Sequence, residues 1–267
     1  MIKPGEIQQK ARETGVRDQQ IEKDYVLSWI LKGIAQHEQL SGIIVFKGGT
    51  VLKKVYFEDY RFSEDLDFTL LKDNVSNEQI FTWVNEIFEY VRDEANIPLE
   101  IIDNNEHEDG GINFYISFVG PFGGQGSNKK IKVDISRNEK MEFKPVYKPV
   151  FPVYSDLAEH QLLCYSLEEI FVEKMRSVIQ RMQARDLYDI WYLLEVHEMD
   201  IDLYLTEFIN KCACKGLSAA DFSKKLEERL PQYKGRWKSS LSEQIQNLPD
   251  FEKIERETLR HIKKLKL

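Results

Sequence analysis

The chain has 267 residues, 42% of them hydrophobic, and a formal net charge of −8, which is core enough for one large domain or two small ones. The charge excludes wholesale wrapping of nucleic acid, which needs many cationic phosphate contacts. No apolar run reaches the ~18 residues of a membrane span, the first residues lack a signal-peptide apolar region, and Cys164, Cys212 and Cys214 suit a reducing cytoplasm better than a disulfide framework.

From Arg17 to Ala35, Ile21, Tyr25, Val26, Trp29, Ile30 and Ile34 recur at helical spacing and predict an amphipathic helix. Gly42-Ile43-Ile44-Val45-Phe46 predicts a short buried strand, which Lys47-Gly48-Gly49 turns into a helix over Thr50 to Tyr56. A second strand is expected over Phe62 to Leu71. A helix follows over Ser76 to Glu94, through Ile80, Trp83, Val84, Ile87, Phe88 and Val91. Leu99–Ile102, Ile112–Val119 and Lys130–Ser136 read as further strands. The glycine-rich Gly120–Gly126 lies between the last two, where a hairpin connection is the ordinary cause.

Pro145, Pro149 and Pro152 mark a change of organisation, beyond which the chain reads as helical to its end. Ser166-Leu167-Glu168-Glu169 is a capping box, with Tyr165 and Ile170 as its flanking staple. The expected division is a mixed α/β core over 1–150, including the N-terminal helix, and an α-helical domain over 151–267.

Charge is uneven along the chain. Asp93 to Asp109 holds seven acids and no Lys or Arg, whereas Lys129 to Lys148 holds seven bases against three acids. The basic stretch reads either as a surface for a polyanion or as a solvated strand edge guarded by lysines.

The chemistry concentrates in Arg61-Phe62-Ser63-Glu64-Asp65-Leu66-Asp67-Phe68. Strand side chains alternate sides, so Asp65 and Asp67 share one face while Leu66 and Phe68 enter the core. Two anions held about 5–7 Å apart ask for a cation between them, Mg²⁺ or Mn²⁺. The upstream glycine turn, which opens a helix, offers free backbone N–H groups to a phosphate. Metal and phosphate cradle together point to nucleotidyl transfer. Asp134 in Ile131-Lys132-Val133-Asp134-Ile135 supplies a third carboxylate, on the face opposite Val133 and Ile135. Ser63 and Arg61 share the phase of the aspartates and could reach a phosphate, although an ion pair with an acid serves Arg61 equally well. No histidine sits in a recognisable ligand or nucleophile constellation, and Cys212 and Cys214 lack partners for a zinc site.

Gly48-Gly49-Thr50, then Asp65-Leu66-Asp67-Phe68, then Asp134, resembles the signature of the DNA polymerase β-type nucleotidyltransferase superfamily. The 15 residues from Thr50 through Glu64 slightly exceed its usual gap, and Lys47 stands where an apolar residue is common. A narrower resemblance absorbs both departures. Ile21-Glu22-Lys23-Asp24-Tyr25, Phe46-Lys47-Gly48-Gly49-Thr50, Tyr60 through Phe68, Ile131 through Ser136, Glu173-Lys174 and Ala184-Arg185-Asp186-Leu187-Tyr188-Asp189 together resemble the AbiEii/AbiGii toxin family, from about Ile21 to Trp191.

That resemblance implies a fold, an activity and a set of residues. The fold is a nucleotidyltransferase-type mixed sheet with flanking helices, followed by an α-helical C-terminal half. The activity is metal-dependent transfer of NMP from an NTP, with relatives of the family adding nucleotides to the acceptor end of tRNA. The biological setting is a type IV toxin–antitoxin or abortive-infection system in the cytoplasm, with a cognate antitoxin as partner. The resemblance adds a lysine and an aspartate from the helical half: Lys174, with either Asp186 or Asp189. Lys174, Arg181 and Arg185 fall at spacings that one helix face could carry. The break at Met182-Gln183-Ala184-Arg185 makes Asp186 a candidate N-cap, with Asp189 in the first turn.

The expected site therefore comprises Asp65, Asp67 and Asp134 for metal and catalysis, with Lys174, Asp186 and Asp189 from the helical half. Lys47, Gly48, Gly49, Thr50, Arg61, Ser63, Arg181 and Arg185 are expected on the nucleotide. Two other readings stand beside this one: transfer to a small hydroxylated molecule or a protein, and a catalytically silent RNA- or protein-binding module on the same fold.

Overall fold

The computed structural model describes residues 1–124, 129–263 and 265. The chain divides into two compact units, one of Met1–Glu139 with Pro145–Tyr165 and one of Lys140–Lys144 with Ser166–Leu267.

The first unit carries helices α1 (Pro4–Thr14), α2 (Asp18–Gln36), α3 (Gly48–Val51, continued by a π-helical turn over Leu52–Tyr56) and α4 (Asn77–Ala95). Its strands are β1 (Ile44–Lys47), β2 (Asp65–Leu70), β3 (Leu99–Glu106), β4 (Ile112–Phe118), β5 (Lys130–Ser136), β6 (Val146–Pro149) and β7 (Gln161–Cys164). Among the described residues they form a seven-stranded mixed sheet in the order β3-β4-β5-β2-β1-β7-β6. The mixed sheet with flanking helices is the architecture expected.

The alternation read from the sequence fixes which face is buried. Leu66, Phe68, Val133 and Ile135 are all at most 3% exposed, on the face that meets apolar side chains of α2 and α4. At ~25 cal/mol per Å² of apolar surface removed from water, this layer is the main term holding the sheet to its helices. The asparates and lysines of the same strands take the other face.

α2 departs from a simple amphipathic helix, because its polar side is buried as well. Glu22 accepts from Phe122 N at 2.9 Å and pairs with Lys129 at 3.1 Å. Asp24 pairs with Lys54 at 2.5 Å and accepts from the Tyr154 hydroxyl at 2.7 Å. Lys32 donates to the Glu159 carbonyl at 3.1 Å. Each buried charge has a partner, as burial demands.

β7 overturns the expectation of an all-helical chain beyond Pro152, and β6 is a further strand that the sequence did not predict. β7 pairs parallel with β1, placing Phe46 opposite Cys164, and β6 pairs antiparallel with β7. Both strands are four residues long, too short for periodicity to separate strand from helix; pairing with β1 decides. α1 was also unexpected from apolar spacing, since only Ile7 and Ala11 are buried on it. Its signals are Pro4 at the first helical position and Gly15 at the C-cap with φ of 65°. β4 and β5 pair antiparallel, as the hairpin reading required. Within their connection, Gly123 N donates to Gly120 O at 2.8 Å, while Gln125 and Gly126 lie outside the described residues.

The second unit is helical: α5 (Leu167–Gln180), α6 (Ala184–Trp191, continued by a π-helical turn), α7 (Leu205–Ala213), α8 (Asp221–Leu241) and α9 (Phe251–Ile262). The capping box forms, with Ser166 Oγ accepting from Glu169 N at 3.3 Å. Glu169 also explains why Lys140–Lys144 belongs here. Its fully buried carboxylate accepts from Glu142 N at 2.8 Å and Phe143 N at 2.9 Å, and it pairs with Lys211, which donates to Lys140 O at 2.9 Å.

Candidate active site

The parallel register of β2 and β5 aligns Asp67 with Asp134 and Asp65 with Lys132. Neighbouring strands lie about 4.8 Å apart and same-face residues about 6.8 Å along a strand. The backbone thus sets Asp65, Asp67 and Asp134 at a corner of the polar face, Asp65 and Asp67 along β2 and Asp134 beside Asp67 on the adjacent strand, as expected. Around Asp134, His107 Nε2 lies 3.6 Å and Lys132 Nζ 3.8 Å from Oδ2. Such long, half-exposed pairs hold a carboxylate weakly.

The glycine turn is shaped by what packs on it. Gly48 has a φ of +82°, and a Cβ built there would sit 2.3 Å from Asp67 Oδ2. A Cβ on Gly49 would sit 2.6 Å from Arg61 Nη2 and 3.6 Å from Ser63 Oγ. The two glycines therefore let a carboxylate, a guanidinium and a hydroxyl approach the same turn. The Thr50 hydroxyl donates to the Asp65 carbonyl, tying the start of α3 to the start of β2. Arg61 is 3% exposed and donates to the Phe62 carbonyl at 3.2 Å. Arg61 and Ser63 precede the strand, which begins at Asp65 rather than Phe62.

Lys47 ends β1 opposite Asp67. Its ammonium contacts Glu139 Oε2 at 2.5 Å and Ser136 Oγ at 3.1 Å, and lies 5.7 Å over the Tyr165 ring. Sequence spacing did not reveal Glu139, because it follows a turn at Asn138 (φ 52°) that no strand phase describes. His107 was also missed. It sits at the end of the β3–β4 hairpin, where Asn113 Nδ2 meets its Nε2 at 3.2 Å. Its 3.6 Å approach to Asp134 is a single weak pair, and among the described residues no histidine joins a metal-capable group.

The second unit gathers the other predicted residues. Lys174 Nζ lies 2.9 Å from Asp186 Oδ1 and 2.6 Å from Asp189 Oδ2, and Arg181 Nε lies 2.8 Å from Asp186 Oδ2. Both carboxylates are almost fully buried. Burial pushes the Asp186 carboxyl up, but the Lys174 and Arg181 charges more than reverse this and leave it below its ordinary value. Two sequence expectations fail here. Asp186 is not the N-cap, since α6 begins at Ala184 after Gln183 and Asp186 stands in the first turn. Lys174, Arg181 and Arg185 do not share a helix face, since α5 ends at Gln180 and Arg185 belongs to α6. Across the break, Asp186 of α6 meets both Lys174 of α5 and Arg181 just after it.

The basic stretch is partly consumed by internal pairs. Lys129 meets Glu22 at 3.1 Å, Arg137 donates to Asn77 Oδ1 at 2.7 Å, and Lys140 meets Glu142 at 3.0 Å.

Three carboxylates are the hard oxygen donors that Mg²⁺ or Mn²⁺ takes, so the donor set fits such a metal in kind. Among the described residues, no three metal-capable side chains are gathered closely enough to hold a metal ion; the strands place the three carboxylates on one face. No helix among those residues is long and apolar enough to cross a membrane.

A family model described as "Nucleotidyl transferase AbiEii toxin, Type IV TA system" matches residues 29–259. No curated protein matches the chain. Among solved structures, it is similar to MenT4, a nucleotidyltransferase toxin of Mycobacterium tuberculosis H37Rv, at 16% identity and a TM-score of 0.62, covering 100% of this chain and 91% of that one. JHP933 from Helicobacter pylori aligns at 18% identity and a TM-score of 0.58, covering 93% of this chain and 94% of that one. At these identities the likeness speaks for the fold.

Proposed function

We propose that this chain, which belongs to the AbiEii family of nucleotidyl transferase toxins of type IV toxin–antitoxin systems, moves a nucleoside monophosphate from an NTP onto a hydroxyl of tRNA. The observation that supports this most strongly is the shared face of Asp65, Asp67 and Asp134 beside the Gly48-Gly49 turn.

In this reading the triphosphate lies against Gly48 and Gly49, with Ser63, Arg61 and Lys47 as donors to its oxygens. Asp65, Asp67 and Asp134 would hold Mg²⁺ or Mn²⁺. Bound there, the metal supplies Lewis-acid neutralisation of charge on the reacting phosphate. Asp134 accepts the proton of the acceptor hydroxyl as its oxygen bonds to the α-phosphorus. The bond from the α-phosphorus to the bridging oxygen then breaks and pyrophosphate leaves. The family resemblance assigns Lys174, with Asp186 or Asp189, to the same reaction, and a buried lysine fixed by two carboxylates suits a charge whose position matters. The family also implies an antitoxin partner, and an NTP substrate is consistent with work in the cytoplasm.

The test is to incubate the protein with each labelled NTP, Mg²⁺ or Mn²⁺, and total tRNA, with parallel reactions offering protein or small hydroxylated acceptors. Metal-dependent label in RNA is expected. Label only on a protein or a small acceptor would overturn the RNA acceptor, and no transfer to any acceptor would overturn the activity for this chain.

A further inference from the structure

Glu139 has no place in the machinery outlined above, yet it makes a short, buried ion pair with Lys47. We propose that Glu139 is a positioning residue, which sets where the Lys47 ammonium stands relative to the bound nucleotide; the inference rests on the nucleotidyl-transfer reading of the same site.

Three observations carry it. First, the pair is buried: the side chains of Lys47 and Glu139 are 8% and 7% exposed, with Nζ and Oε2 2.5 Å apart. Bringing two charges out of water is costly and is seldom the cheapest way to hold a sheet together, so a retained pair asks for another reason. Second, the pair is braced. Ser136 Oγ accepts from the same ammonium at 3.1 Å, and the Tyr165 ring lies 5.7 Å below it. Tyr165 is itself fixed, its hydroxyl bonded to Thr69 Oγ1 at 2.8 Å and its backbone N donating to Phe46 O at 2.9 Å. Third, the location is the active one. Lys47 is the register partner of Asp67 and the residue immediately before Gly48, so its ammonium belongs to the ground on which a triphosphate would lie.

The backbone is also built to deliver Glu139. β5 ends at Ser136, and Asn138 adopts a φ of 52°. Asparagine is one of the few side-chain-bearing residues that visits this left-handed region readily. The reversal brings the carboxylate back over β1, three residues after Ser136. A lysine on a four-carbon stem is a mobile point charge. Held by a carboxylate, a hydroxyl and a ring, it meets an incoming phosphate with little left to reorganise.

The experiment is titration of the folded protein with a fluorescent NTP analogue in Mg²⁺, together with NTP KM and kcat for transfer, on wild type, Glu139→Gln, Lys47→Ala and the double variant. Glu139→Gln keeps the size and an acceptor oxygen but removes the charge, so it folds where a truncation would not. The expected result is about a tenfold loss of NTP affinity in Glu139→Gln, a matching rise in KM with kcat changed far less, and a double variant no worse than Lys47→Ala alone. Unchanged affinity and KM in Glu139→Gln, with wild type binding NTP, would overturn the positioning role alone. So would additive losses in the double variant. A wild-type protein that binds no NTP would overturn the nucleotidyl-transfer reading, and this inference with it.

Discussion

Asp67 leans over the glycine turn so closely that a Cβ on Gly48 would fall 2.3 Å from its Oδ2. The β1–α3 junction and the D-x-D strand are thus one packed object: a residue at position 48 must adopt φ of +82° and leave room for a carboxylate. Among the standard residues, glycine alone meets both demands without strain.

Gly48→Ala is therefore expected to lose about 1–2 kcal/mol of stability through its left-handed backbone. It should lose at least about tenfold in NTP transfer through displacement of Asp67. Gly49→Ala is the contrast for stability alone, since the triphosphate is proposed to lie against Gly49 as well. Its φ is ordinary, and its nearest neighbour at 2.6 Å is the far end of the Arg61 side chain, which can shift. Thermal melts on both variants check the contrast, and equal melting would contradict it; a transfer assay on Gly48→Ala reads the displacement of Asp67.

Lys174→Met should destabilise the second unit by about 3–5 kcal/mol, because Asp186 and Asp189 would remain buried without their shared cation. The pH response follows from Asp186, whose folded value lies below the unfolded one. Its contribution is present above the ordinary carboxylate value of about 4 and is lost as pH falls through the lower folded value. In Lys174→Met, Arg181 alone is left to oppose burial, so the loss on acidification should begin at higher pH. Urea unfolding at a series of pH values reads both effects.

His160 gives an acid-side prediction in the first unit. Burial pushes its imidazole down to about 4, against the raising effect of the Ala158 carbonyl. Nδ1 lies 3.1 Å from that carbonyl, while Nε2 is buried without a hydrogen-bond partner. Protonation would place a second N–H where no acceptor stands. The unfolded chain binds this proton at about pH 6.5 and the folded chain only near 4. Stability should therefore rise with pH across that interval and level off above it. His160→Gln should flatten this slope, which urea titrations between pH 4 and 7 would measure.

Much of this arrangement was legible in the residues themselves. The alternation around Leu66 and Phe68 gave the face of Asp65 and Asp67, and the alternation around Val133 gave that of Asp134, since strand phase depends only on local order. The parallel register that sets Asp67 beside Asp134 belongs to the assembled sheet, although a neighbouring strand was expected. What escaped is what depends on chain reversal. Glu139 reaches Lys47 through the left-handed Asn138, and His107 reaches Asp134 through a hairpin end; neither follows from spacing. Gln161–Cys164 is too short and too uniformly apolar to declare itself a strand before β1 stands beside it. The Lys174 set was found through family likeness, whereas its geometry (Arg181 and Lys174 meeting on one buried Asp186) required the break between α5 and α6 to be seen.

The central claim, that the Asp67–Asp134 row is the site of nucleotidyl transfer, is tested most directly by comparing label transfer from NTP to tRNA in wild type, Asp67→Asn and Asp134→Asn at matched Mg²⁺. Each substitution keeps the size of the side chain and removes one carboxylate charge. The account predicts metal-dependent transfer by the wild type and a fall of at least about a hundredfold in each folded variant. Transfer undiminished in Asp67→Asn would contradict it.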